Sequence, residues 1–118
     1  MKYKYETGDF YEGEMLYGFR EGKGTLNYNS GDKYIGEWKD DEKHGKGSYY
    51  FQSGENYKGG WKDGMRHGFG VYEFLNGDAY EGQYRKDLRH GDGALFDNKG
   101  KCIVHGKWKN GLLDGKSI

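Results

Sequence analysis

The chain has 118 residues, with 19 basic and 19 acidic side chains and a formal net charge of zero. That length suits one domain or one array, and the charge balance excludes a general electrostatic attraction to nucleic acid or to a membrane. Low mean hydropathy alone would suggest disorder, but 18% of the residues are aromatic and they fall in register, so the chain folds.

The register is a repeat. Tyr11, Tyr34, Tyr57 and Tyr80 recur at a spacing of 23 residues. Gly13, Gly36, Gly59 and Gly82 keep the same spacing, as do Gly24, Gly47, Gly70 and Gly93. Met15, Trp38, Trp61 and Tyr84 share one position, and His44, His67 and His90 another. A fixed period in the twenties marks an array of like supersecondary units. In chain order, a half unit spans 3–10 and full units span 11–33, 34–56, 57–79 and 80–102. A partial unit, 104–118, begins one residue late, because its glycine is Gly106 and its tryptophan Trp108. The extra residue falls between Asn98 and Ile103 and predicts a longer turn or a bulge.

Each unit holds two alternating runs. Tyr34, Gly36 and Trp38 alternate with Ile35, Glu37 and Lys39, and Gly45, Gly47, Tyr49 and Phe51 alternate with polar neighbours. A period of two predicts strands. The polar stretch Asp40 to His44 reads as the loop between them. Asn76-Gly77-Asp78 and Asn29-Ser30-Gly31-Asp32 read as hairpin turns between units. The fold class is therefore all-β: an elongated single-layer antiparallel meander of repeated β-hairpins. One face carries Tyr, Trp and Gly, with rings lying over glycines. The other is mainly Glu, Lys, Ser and Asn.

Tyr34-Ile35-Gly36-Glu37-Trp38 and Tyr57-Lys58-Gly59-Gly60-Trp61 resemble the opening of MORN (membrane occupation and recognition nexus) repeats. Lys43-His44-Gly45-Lys46-Gly47 and Arg66-His67-Gly68-Phe69-Gly70 resemble their middle. The resemblance covers nearly the whole chain and weakens in the first unit, at Met15 and Glu21, and in the last, at Val104 and Asp114. It implies a twisted hairpin array with a scaffolding role at membranes, cortical cytoskeleton or cilia, and no chemistry of its own. Some relatives join such repeats to lipid kinases or lysine methyltransferases, so a regulatory segment of a larger enzyme is one alternative. Phosphoinositide binding and capture of partner peptides in a groove are the binding modes the resemblance offers.

No catalytic set stands out. The acidic residues recur at solvent-facing strand positions, and Cys102 has no basic neighbour beyond Lys101, whereas a nucleophile needs a base and an orienting group in reach. A lone cysteine forms no intrachain disulfide, which fits a reducing compartment. The histidines sit one per unit, about 9.5 Å apart at two strand spacings, too far to share a zinc ion. No metal or cofactor is expected, and they are read as packing in the hairpin loops. Single-stranded nucleic acid needs a basic groove between its aromatics, and here they are interleaved with Gly and Glu.

Two surfaces are candidates. Arg20, Lys43, Arg66 and Arg89 share one position and are expected to line a long side of the array, an edge for phosphate or acidic-lipid headgroups with acidic residues between them. The aromatic face is the stronger candidate. Tyr11, Tyr34, Trp38, Tyr49, Tyr57, Trp61, Tyr72, Tyr80, Tyr84 and Trp108 are expected to form a stripe that a one-layer sheet leaves uncovered. Tyr and Trp favour interface hot spots, so this face is read as a groove for a partner peptide, a helix or a second copy. Open end strands add a route to self-association. The expected location is cytoplasmic, at the cortex, cytoskeleton or membrane periphery.

Overall fold

The computed structural model describes residues 1–113. It is one open sheet of eleven strands, each hydrogen-bonded antiparallel to the next in chain order. They are β1 (Lys2–Lys4), β2 (Phe10–Leu16), β3 (Phe19–Asn27), β4 (Lys33–Lys39), β5 (Glu42–Tyr50), β6 (Asn56–Lys62), β7 (Met65–Glu73), β8 (Ala79–Arg85), β9 (Leu88–Phe96), β10 (Cys102–Lys109) and β11 (Leu112–Leu113). There is no helix among the described residues. The Cα atoms span 44 × 24 × 20 Å, a ribbon whose long axis follows the stacking of strands. The end of the partial unit, 114–118, lies outside the described residues.

Two kinds of turn alternate. Within a unit, two residues suffice: Tyr17-Gly18, Asp40-Asp41, Asp63-Gly64, Lys86-Asp87 and Asn110-Gly111 all have positive φ at both positions. That is the type I′ turn, whose twist matches the flanking strands. The stretch Asp40 to His44 is therefore not a loop. Lys39 pairs with Glu42 across the turn, and Lys43 and His44 lie inside β5. His67 and His90 likewise lie inside β7 and β9. Between units the turn has three residues, closed by Tyr28 N–H to Asp32 O at 2.9 Å and Gly31 N–H to Tyr28 O at 3.0 Å. The last such turn keeps this length, with Asp97 N–H on Lys101 O at 2.8 Å. The extra residue is instead a bulge: Cys102 pairs with Phe96 and Val104 with Leu95, which leaves Ile103 unpaired.

The core lies on one face of the sheet. Facing glycines pair across each of the four full hairpins, Gly13 with Gly24, Gly36 with Gly47, Gly59 with Gly70 and Gly82 with Gly93. The unit's tyrosine ring lies flat on the second glycine of its pair, where a Cβ would overlap the phenol. That steric demand outweighs the roughly 0.5–1 kcal/mol that glycine costs in a strand. A bulge follows each pair, as between Gly36 and Trp38. A carbonyl at the bulge accepts the phenol proton: Tyr34 Oη donates to Glu37 O at 2.8 Å and Tyr57 Oη to Gly60 O at 2.9 Å.

Candidate functional site

The tyrosine column is zipped to the column of Trp38, Trp61, Tyr84 and Trp108. Trp61 meets Tyr34 and Tyr57 edge to face at 5.4 and 5.2 Å, and Tyr84 meets Tyr57 and Tyr80 at 5.1 and 5.3 Å. Such pairs add about 0.5–1.5 kcal/mol each beyond their buried area. The indole N–H groups of Trp38, Trp61 and Trp108 donate to Gly24 O, Gly47 O and Gly93 O at 3.0–3.1 Å. The zipper is closed to solvent. Tyr11, Tyr34, Tyr57 and Tyr80 have no exposed surface, and Trp38, Trp61, Tyr84 and Trp108 keep 7% or less. Eight of the ten residues expected to line an open groove are thus core, because the four tyrosines lie on their glycine beds and pack against the Trp38, Trp61, Tyr84 and Trp108 rings of the following units.

The accessible part of this face is narrower. Tyr28, Tyr49, Phe51, Tyr72 and Phe74 are half-buried and touch in sequence, with centroids 5.6, 4.7, 5.7 and 5.0 Å apart. They form one ladder of rings over three units. Two of its three tyrosines are fixed from the turns: Tyr49 Oη donates to Asp32 Oδ2 at 2.7 Å and Tyr72 Oη to Glu55 Oε1 at 2.6 Å. Burial first, then these carboxylates, push both phenols well above their ordinary range. The sequence reading had Tyr49 and Tyr72 on the right face but did not separate this ladder from the core beneath it.

The basic column is displaced further from expectation. Arg20, Lys43, Arg66 and Arg89 are half-buried and form no separate edge; they lie on the aromatic face. Arg20 sits over Trp38 at 4.5 Å, Arg66 over Tyr84 at 5.0 Å and Arg89 over Trp108 at 4.5 Å from the ring centroid. The Lys43 ammonium has Trp61, Tyr49, Tyr34 and Tyr28 within 6 Å. Strand parity explains this. Lys43 shares a side with Gly45, Gly47 and Tyr49 once β5 is extended to its true start. A cation over a ring face is attracted by the ring quadrupole, so the column caps the core.

Each cation also meets the turn of the following unit. Asp41 N–H donates to Arg20 O at 3.0 Å, Gly64 N–H to Lys43 O at 3.1 Å, Asp87 N–H to Arg66 O at 3.0 Å and Gly111 N–H to Arg89 O at 2.8 Å. The backbone is the same at all four junctions, but the turn side chain alternates. Asp41 Oδ1 accepts from Arg20 Nε at 2.7 Å and from Arg20 N–H at 3.0 Å, and Asp87 Oδ1 does the same for Arg66 at 2.9 Å in both contacts. Burial raises the Asp41 pKa, but the hydrogen bonds from the Arg20 side chain and backbone outweigh it and hold the carboxyl below its ordinary value. Gly64 and Gly111 bring no such group. Among the described residues no carboxylate lies within 4 Å of Lys43 or Arg89.

These structural regularities coincide with the family match. The family model described as "MORN repeat" matches residues 11–33, 34–55, 57–79, 80–102 and 105–116. A search of the curated proteins finds no match. Repeats of this kind are non-catalytic modules that bind proteins or membranes. With most of its length matched unit by unit, and with one open antiparallel meander as its fold, the chain belongs to the MORN repeat family.

Proposed function

We propose that this array is a non-enzymatic scaffolding module whose ring ladder receives a partner peptide or helix. The observation that supports the reading is the run from Tyr28 through Tyr49, Phe51 and Tyr72 to Phe74. It is a continuous half-buried row of rings on a sheet that, among the described residues, forms a single layer. Rings pinned by Asp32 and Glu55 lose little freedom on binding, and preorganisation of this kind favours affinity. A location at the cytoplasmic cortex or cytoskeleton would follow from such a partner.

Tyr57 and Trp61 do not test this, since both are core and their loss would damage the fold. The discriminating variant is Tyr49→Ala/Tyr72→Ala. Panning a display library of random 16-residue peptides on the wild-type array should enrich binders. Those binders should lose about tenfold or more in affinity for the double variant, which should keep its β-type circular dichroism and a cooperative melt. Equal binding by the folded variant, or no enriched peptide, overturns the reading. An acidic-lipid adaptor working through the same cations is the alternative, and sedimentation with anionic vesicles in place of peptide separates the two.

A further inference from the structure

Lys43 and Arg89 are charges held among rings without the counter-charge that the same fold position supplies elsewhere. The Lys43 ammonium has three donors, yet its one side-chain hydrogen bond is a long contact of 3.4 Å to Tyr28 Oη. Burial lowers its pKa, and the fields of Asp87 and Glu42 only partly oppose this. Arg89 has five side-chain donors and among the described residues makes a single hydrogen bond, of 3.4 Å to Gly111 O. Among the described residues the remaining side-chain donors of Arg89 are not sealed from water, but a half-buried charge without a counter-charge still lacks the favourable pairing that a carboxylate supplies. The two clamped junctions show the remedy, with a carboxylate oxygen 2.7 Å from Arg20 Nε and 2.9 Å from Arg66 Nε.

The space for that remedy is present at the glycine turns. A Cβ on Gly64 would meet only Glu42 Oε2, at 3.5 Å, and one on Gly111 only Leu88 Cδ2, at 3.8 Å. From this alternation we infer that the partner segment brings the two missing carboxylates, seating one acidic side chain on Lys43 and another on Arg89. The inference deepens the ring-ladder reading and rests on it. Both cations are half-buried between rings, and a side chain standing out from a peptide reaches them more readily than a headgroup in a flat bilayer surface. The spacing is set by the fold. Two units are four strands, or about 19 Å. An α-helix lying along the ribbon covers that in about 12–13 residues, and an extended segment in about six. Arg89 adds geometry, because a guanidinium takes a carboxylate by two parallel hydrogen bonds.

The fold itself provides the competing ligand. Asp41 and Asp87 adopt φ of 71° and 73° at the position where Gly64 and Gly111 have 79° and 89°, so Gly64→Asp/Gly111→Asp places internal carboxylates where the partner's would sit. Peptides selected on the wild-type array from the random 16-residue library should be enriched in Asp and Glu at one of the two spacings. They should bind this double variant about tenfold or more weakly, while its melting temperature stays level or rises. Peptides without acidic enrichment, or peptides that bind the variant as well as the wild type, overturn the inference. If those same peptides still lose affinity for Tyr49→Ala/Tyr72→Ala, the ring ladder stands and only its acidic partner falls. If no peptide is enriched and anionic vesicles alone bind, both fall.

Discussion

The junction between the first and second units and the junction between the second and third differ in the cation, Arg20 against Lys43, and in the turn residue, Asp41 against Gly64. At the first, Asp41 holds Arg20 by side chain and backbone. At the second, Gly64 leaves Lys43 resting on Trp61 with no ion pair among the described residues. Beneath that difference the rings, glycine pairs and backbone bonds are the same. The third and fourth junctions repeat the alternation with Asp87 and Gly111. The fold is therefore carried by the ring-and-glycine layer, which the units from 34 to 102 share in full and the first unit shares but for Met15. The cation layer above it can vary, and variation is where a binding specificity can be written without risk to the sheet.

The largest effect should come from breaking the shared layer at all junctions together, and alkali does this. Burial is the first cause that pushes the phenols of Tyr11, Tyr28, Tyr80 and Tyr84 up to about 12 from 10.0. The sign follows directly. In the unfolded chain these groups ionise near 10, while in the fold they stay neutral to about 12. Stability is therefore intact below pH 10 and falls as pH rises from 10 towards 12. A circular-dichroism titration should show cooperative loss of the sheet within that window. A sheet still intact above pH 12 would contradict the buried zipper.

Next in size is removal of one indole, which sharpens the comparison. Trp38→Ala and Trp61→Ala each delete a buried ring and a hydrogen bond to a glycine carbonyl, at about 3–5 kcal/mol. The cations above them respond differently. Lys43 is free to swing into water, whereas Arg20 is tied to Asp41 and stays over the gap. Both variants lose a cation–ring contact, but Trp38→Ala should cost more than Trp61→Ala, by about 0.5–1 kcal/mol, because Arg20 stays over the gap without its ring while Lys43 can recover hydration. Urea denaturation of the two variants side by side checks this; equal costs would mean that the clamp does not restrain Arg20.

The shared layer was the legible part of the sequence. The spacing of 23 residues, the alternation in 34–39 and 45–51, and the facing glycines are local patterns, and each has one structural solution. The bulge near Ile103 was visible as a slip of one residue between Gly82 and Gly106. The cation layer was not legible in the same way. Charged residues at Glu42, Lys43 and His44 resemble a loop, so the local pattern puts the start of β5 later than Glu42, where the strand begins. The dipeptides Asp63-Gly64 and Asn110-Gly111, strong signals for a two-residue turn, were present and would have extended β5 and its equivalents. Carried back two residues, the parity of Gly47 and Gly45 puts Lys43 among the rings. The Asp41–Arg20 clamp joins residues 21 apart through the stacking of hairpins, and no local pattern encodes it. Nor does any pattern say which rings are sealed, since that depends on how the twist seats Trp61 between Tyr34 and Tyr57.

The smallest effect converts one kind of junction into the other. Asp41→Gly removes the carboxylate that Arg20 Nε and Arg20 N–H share, and it relieves a non-glycine residue at φ 71°. The lost charge-assisted contact is screened, because the Asp41 side chain is 39% exposed. The net cost should be about 0.5–1 kcal/mol near neutral pH. Its pH dependence identifies the source. The folded pKa of Asp41 lies below its ordinary 3.8, so the carboxylate contributes fully above that value and loses its contribution as pH falls through the folded pKa. The gap in urea midpoint between wild type and Asp41→Gly should be constant from pH 7 to 5, narrow below pH 4 and close in stronger acid. A gap that persists in acid would assign the difference to backbone strain at the turn and remove the clamp from the energetics of the junction.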